Sequence, residues 1–273
     1  MIVGVLEWPS DSYAPFSKAN RRDQGLYNEL RRRGIPSENM MMLLGREATE
    51  NGISDAIQQI GRRATTGSTL IFYYAGHGGP GPRGIYFANY DAGTTGASPH
   101  GFLIHRLTDS LKKNFKGERV ILLADCCHSG GLADVAHDLT RHGFKAASLT
   151  SASVANRSTG RWTFTCSIID ALSGRSLLDT DNDGFITLAE AAEEIRNAMS
   201  YREKQNSGAS LRGIGGDFRL APTAPVTVDS EPIPKPFKLR QYVRSSKSGK
   251  EIARIVAYRD GELALEIQKY HNR

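Results

Sequence analysis

Apolar positions along this chain switch repeatedly between two periods. Short apolar runs rich in β-branched and aromatic residues predict strands at Ile2–Trp8, Asn39–Leu44, Thr69–Tyr74, Gly84–Ala88, Val120–Ala124 and Lys145–Ser151. The methionines of the second run read as core filler. Between the runs, apolar residues three or four apart predict helices. Leu26 and Leu30 mark Ala19–Arg33, which Gly34 is placed to end. Ile53, Ile57 and Ile60 mark Thr49–Arg63, with Thr49 as its cap. Phe102–Phe115, Leu132–Leu139, Phe164–Leu172 and Leu188–Met199 read as further helices, and Asp217–Leu220 as a final edge strand. Such alternation predicts one α/β domain over 1–220, a largely parallel sheet with helices on both faces.

The pattern then changes. Ala221–Pro236 holds five of the eleven prolines and reads as a semi-stiff linker. Beyond it, 237–273 alternates over Leu239–Val243, Ile252–Tyr258 and Leu263–Ile267, with turns at Ser248-Gly249 and Asp260-Gly261. That predicts a small C-terminal β module, weakly similar to a Tudor or SH3-like half-barrel.

Charge reinforces the division. The net charge is +6, and Phe237–Arg273 carries nine Lys/Arg against four Asp/Glu, so the main domain is close to neutral. The basic tail suits an acidic protein or a nucleic acid, or simply forms the solvated face of a docking module. No run approaches the roughly eighteen apolar residues of a membrane span. The first residues enter a strand with neither a basic leader nor a small-residue cleavage site. Three cysteines, two of them adjacent, do not make a disulfide framework. No membrane partner and a reducing, cytoplasmic setting are therefore expected.

The chemistry gathers where two apolar strands end. Val120–Ala124 runs into Asp125-Cys126-Cys127-His128-Ser129-Gly130-Gly131, and Thr69–Tyr74 runs into Ala75-Gly76-His77-Gly78-Gly79. The carboxyl edge of a parallel sheet is where α/β proteins place reactive groups. A His and a Cys delivered there by neighbouring strands make a thiol nucleophile with its base. Strand geometry separates the two thiols: Asp125 and Cys127 share a face, and Cys126 points into packing. Amides of Gly78 and Cys127 are placed to stabilise an oxyanion, and the helix start after Gly131 favours a thiolate. A metal site built from His77, Cys126, Cys127 and His128 has poor ligand spacing.

These residues resemble a known family. Tyr73-Tyr74-Ala75-Gly76-His77-Gly78, followed some fifty residues later by Asp125-Cys126-Cys127-His128-Ser129-Gly130, is similar to the paired signature of caspase-like cysteine peptidases, in their metacaspase and paracaspase branch. The resemblance covers about 1–220 and implies a six-stranded, largely parallel sheet. It implies Cys127 as nucleophile, His77 as general base and acid, and Gly78 as an oxyanion donor. An acid at 125 and a second at Asp23 imply a pocket for Arg or Lys before the scissile bond. Two departures stand out: Ala75 replaces a serine found in some members, and the loop Ser151–Arg161 carries no acid.

A second motif lies at 179–190. Asp179, Asp181, Asp183 and Glu190 take positions one, three, five and twelve of an EF-hand-like calcium loop, with Gly184 sixth. Phe185 would offer its carbonyl and Thr187 its hydroxyl. Four carboxylates so close repel one another unless a cation sits among them, which predicts bound Ca2+ and no organic cofactor.

The expected function is a cysteine endopeptidase acting on a protein or peptide substrate after Arg or Lys, calcium-modulated and self-processing at basic loop residues (Arg141, Lys145, Arg157, Arg161). The alternative is a non-catalytic caspase-like scaffold that binds partners through its tail.

Overall fold

The computed structural model describes residues 1–94, 101–156 and 158–224, and the backbone of the strands Ala253–Arg259 and Glu262–Ile267. In chain order the elements are β1 (Ile2–Gly4), α1 (Asp23–Arg32), β2 (Met42–Leu44), α2 (Glu50–Arg63), β3 (Thr69–Ala75), β4 (Gly78–Gly81), β5 (Gly84–Phe87) and β6 (Phe102–Leu103). There follow α3 (Arg106–Asn114), β7 (Arg119–Asp125), α4 (Leu132–Arg141), β8 (Lys145–Thr150), α5 (Thr163–Leu172), β9 (Phe185–Thr187), α6 (Leu188–Glu203), β10 (Gly208–Ser210) and β11 (Arg219–Pro222). The pair β12 (Ala253–Arg259) and β13 (Glu262–Ile267) ends the series.

Six strands form one sheet in the order β10-β8-β7-β3-β1-β2. All neighbours are parallel except β10, which runs antiparallel to β8. Period-two alternation divides the apolar residues between two cores. Val3, Phe72, Tyr74, Val120 and Leu122 meet α2, α3 and α4 through Ile53, Ile57, Leu107, Leu111, Leu132 and Leu139. Ile2, Tyr73, Ala75, Ile121 and Leu123 meet α1, α5 and α6 through Leu26, Leu30, Phe164, Ile168, Ile195 and Met199. The fold is thus the expected six-stranded α/β sandwich. Among the described residues no helix is long and apolar enough to cross a membrane.

Several expected elements change. Phe102–Leu103 is a strand, because both side chains are buried and pair with Tyr86 and Phe87 to close a three-stranded β4-β5-β6 ribbon; the helix starts only at Arg106. The last strand of the chain's main domain, β11, does not join the large sheet: it pairs with β9. The sheet edge is instead β10, Gly-Ala-Ser, too short and small to leave an apolar pattern. Thr49 caps α2 as expected, accepting from the Gly52 amide at 3.0 Å. In the tail, β12 and β13 form an antiparallel hairpin; the expected strand 239–243 and most of the expected linker lie outside the described residues.

Candidate active site

The central pair β3 and β7 sets the site. Their register matches Ala75 with Asp125, so His77 and Cys127 stand two residues beyond the same rung of the ladder. The two backbones remain close beyond the strands. A Cβ on Gly78 would lie 2.7 Å from the Cys127 carbonyl oxygen and 2.9 Å from the Cys126 sulfur, so only glycine fits there. Cys126 is buried in the α2/α3/α4 core, and burial pushes its thiol well above the usual range; Cys127 is half-exposed at the edge. The expected division between the two thiols is present. After Cys127, His128 takes a left-handed conformation (φ 55°), turning the chain from β7 toward α4.

Neighbouring loops hold both groups. The His77 Nε2 lies 2.8 Å from the Ala14 carbonyl. A carbonyl can only accept, so the proton resides on Nε2 and Nδ1 keeps the lone pair. The ring packs among Trp8, Tyr13 and Phe16, with centroids 4.8, 5.7 and 4.4 Å away. On the other side, the Ser158 amide donates to the Cys127 sulfur at 3.1 Å. His128 anchors the same loop, its amide donating to Asn156 O at 2.9 Å and its Nδ1 lying 2.6 Å from Val154 O.

A buried polar cluster adjoins this edge on the α1/α5/α6 face. Gly4, Ala75 and Asp125 align across β1, β3 and β7, and the missing side chain at Gly4 makes room for Asp23 and Arg21 above the sheet. Asp125 is 8% exposed; it accepts from the Thr165 hydroxyl at 2.7 Å, and that oxygen lies 2.6 Å from the Tyr73 hydroxyl. Burial outweighs the Thr165 and Ser151 hydrogen bonds and pushes its carboxyl up to about 6. Asp23, at the first position of α1, is fully buried and held by the Arg21 guanidinium through Nε at 2.8 Å and Nη2 at 2.5 Å.

This geometry accompanies a direct match. The model of the caspase domain matches residues 21–215. The chain belongs to the caspase-domain family. A crystal structure of protein GSU0716 from Geobacter sulfurreducens is also similar, at 15% identity and a TM-score of 0.43, over 74% of this chain and 84% of that one. A search of curated proteins finds no match.

The caspase domain carries site groups that its sequence did not announce. The Ala14 carbonyl and Ser158 amide are backbone atoms and have no residue signature. Glu203, the last residue of α6, accepts from the Thr159 hydroxyl at 2.9 Å and from Thr163, and its charge contributes to the upward shift of Asp125. It brings a carboxylate to the loop Ser151–Arg161, which has no acid of its own. Arg161 lies 3.9 Å from it. Two of the basic residues expected in loops lie in regular elements instead: Arg141 ends α4, and Lys145 begins β8 with an ion pair to Glu118. Arg157 lies outside the described residues.

The acidic loop sits between α5 and α6. Oxygens of Asp179, Asp181 and Asp183 all lie within 4.8 Å of one another. Glu190 does not join them. Its Oε2 accepts from the Thr187 amide at 2.9 Å and its Oε1 from the Thr180 amide at 2.5 Å, a capping box at the start of α6. Burial acts to raise its pKa, but these bonds outweigh it and leave the carboxyl below its usual range. Phe185 and Thr187 lie in β9, where Arg219 of β11 stacks 3.8 Å over the Phe185 ring.

Proposed function

We propose that this chain is a cysteine endopeptidase of the metacaspase-like branch, cleaving after Arg or Lys with Cys127 and His77 as its dyad. The observation that carries the reading is the Ala75–Asp125 register, with a buried carboxylate at the same edge from which Cys127 and His77 follow two residues on. His77 Nδ1 takes the thiol proton as Cys127 sulfur attacks the scissile carbonyl carbon. The Gly78 and Cys127 amides hold the oxyanion. Collapse breaks the C–N bond, and His77 gives its proton to the leaving amine. Water, deprotonated by the same imidazole, then hydrolyses the thioester. The Ala14 carbonyl keeps the ring in the tautomer that this sequence of transfers needs.

Asp125 and Asp23 are the acids for the basic side chain, with Glu203 adding negative potential. Fluorogenic peptides differing only in Arg, Lys or Asp at the cleaved position test the reading. Cleavage after Arg and Lys is expected; preference for Asp refutes it. Self-processing is part of the same reading, with Arg161 in the active-site loop as the described candidate. Wild type should lose mass on incubation while Cys127→Ala stays intact.

The donor set at 179–190 suits a hard divalent cation. Asp179, Asp181 and Asp183 would hold Ca2+, with the Phe185 carbonyl and Glu190 completing the shell, and the ion would neutralise the carboxylates' mutual repulsion. We assign it a modulating role rather than a chemical one. The segment 237–273 is a recruitment module for an acidic protein or nucleic acid; salt-sensitive binding tests that, and binding indifferent to salt refutes it. A reducing, cytoplasmic setting agrees with three free cysteines.

A further inference from the structure

The basic-residue pocket already contains a basic residue. Arg21 reaches Asp23 with the two-pronged geometry that a substrate arginine would use. The pair lies directly over the sheet edge: a Cβ on Gly4 would fall 2.0 Å from the Asp23 Oδ2 and 2.9 Å from the Arg21 Nη2. Gly4 is register-paired with Ala75, and Ala75 with Asp125, so the guanidinium lies over the row of strand positions that ends in Asp125, in space that a side chain at position 4 would fill. Tyr73, whose hydroxyl adjoins the Asp125–Thr165 bond, feels the charges of Asp125, Asp23 and Arg21 together. Arg21 is 16% exposed at its side chain, whereas Asp23 beneath it is completely covered. Asp125, by contrast, is bonded to hydroxyls.

We propose that Arg21 is the resting occupant of the substrate pocket and that an incoming Arg or Lys must displace it from Asp23. The proposal rests on the peptidase reading above and deepens it, because it makes the free enzyme self-competing. The substrate's own cation replaces the lost partner, so Asp23 is never left buried and unpaired, the state that would be most costly. Arg21 precedes α1 by two residues, in a segment with no regular structure, so its side chain can leave toward solvent while the helix stays packed. Arg21 therefore sets the affinity threshold for cationic side chains.

Arg21→Gln and Arg21→Lys in the full chain test this, with Arg, Lys, citrulline and Asp peptides and with benzamidine binding measured by calorimetry. The expected result for Arg21→Gln is a KM for Arg and Lys peptides lower by about tenfold, benzamidine bound tighter by a similar factor, and no gain with citrulline. Arg21→Lys keeps the cation but loses the fork, and a smaller gain, about threefold, is expected. If Arg21→Gln fails to fold, the lysine variant decides alone. An unchanged or higher KM in a folded variant overturns the proposal and makes Arg21 a clamp for the start of α1. If neither protein cleaves any peptide, the peptidase reading falls, and benzamidine decides occupancy: tighter binding supports it, equal binding overturns it. Asp cleavage by wild type that disappears in Arg21→Gln overturns both.

Discussion

The active-site edge and the acidic loop are both readable as short motifs, yet they are built in opposite ways. The edge is non-local: His77 and Cys127 are fifty residues apart in sequence, and the parallel β3–β7 ladder alone aligns them. The loop is local, with all its carboxylates inside twelve residues. One would expect the local motif to assemble more faithfully. The reverse holds. Strand register is fixed by two differently shaped cores, and a one-residue slip would send every side chain of β3 or β7 into the opposite one. The loop has no such constraint, and Glu190 is drawn into capping α6 instead of joining Asp179, Asp181 and Asp183.

The largest effect should come from breaking the edge. Cys127→Ala and His77→Ala are each expected to lower kcat/KM by at least about 10³-fold, measured with an Arg peptide. Neither side chain is fully buried, so melting temperatures should hardly move. Asp181→Asn, in the loop, should leave calcium-free turnover within about twofold of wild type. A loss as deep as that of the dyad variants would mean that the two regions act as one.

Asp125, the proposed pocket acid beside the edge, should give the next largest change. Asp125→Asn is expected to reduce kcat/KM for Arg peptides by about 10²-fold, the scale of a broken buried ion pair. pH offers an independent view. Since burial raises its pKa from 3.8 to about 6, the folded chain keeps a proton that the unfolded chain has lost between those values. Stability contributed by this group is present below about pH 4 and falls as pH rises to 6, by about 3 kcal/mol. Binding runs the other way: the pocket gains its charge through the same interval, so KM for Arg peptides should fall as pH rises. Urea melts and KM profiles of wild type against Asp125→Asn test both signs. A variant that keeps either slope would locate the titration elsewhere.

Calcium should sharpen the local side of the comparison. At a hundredfold excess over Kd, an ion bound only by the folded state adds about 2.7 kcal/mol, which for a domain of this size raises Tm by about 5–10 °C. Asp183→Asn should remove most of that rise. No shift on titration would leave the loop a solvated acidic turn.

Much of this was legible because burial writes itself into sequence. The apolar runs located β3, β7 and β8, and the glycines around His77 and after Ser129 marked the places where backbones meet: a Cβ on Gly130 would fall 2.4 Å from the Val154 amide nitrogen. The reading stopped where structure depends on groups without a pattern. β10 is made of small residues at an edge; Glu203 lies four residues beyond the last apolar position taken for α6; the Ala14 carbonyl could belong to any residue. Arg21 was visible as a charge, but Arg22 beside it was equally so. The two-pronged bond to Asp23 and the position of Gly4 beneath that pair distinguish them.

The smallest expected effect asks which state owns Glu190. Thr187 and Glu190 cap each other, the hydroxyl accepting from the Glu190 amide at 3.3 Å. Thr187→Ala should therefore cost about 1 kcal/mol without calcium. If the cap competes with the ion for this carboxylate, weakening the cap favours the bound form, and calcium affinity should rise by up to about fivefold. A direct ligand role for the Thr187 hydroxyl predicts the opposite sign. Calcium titrations of the two proteins thus decide between competitor and ligand, and a rise would explain why the local motif is the less completely assembled of the two.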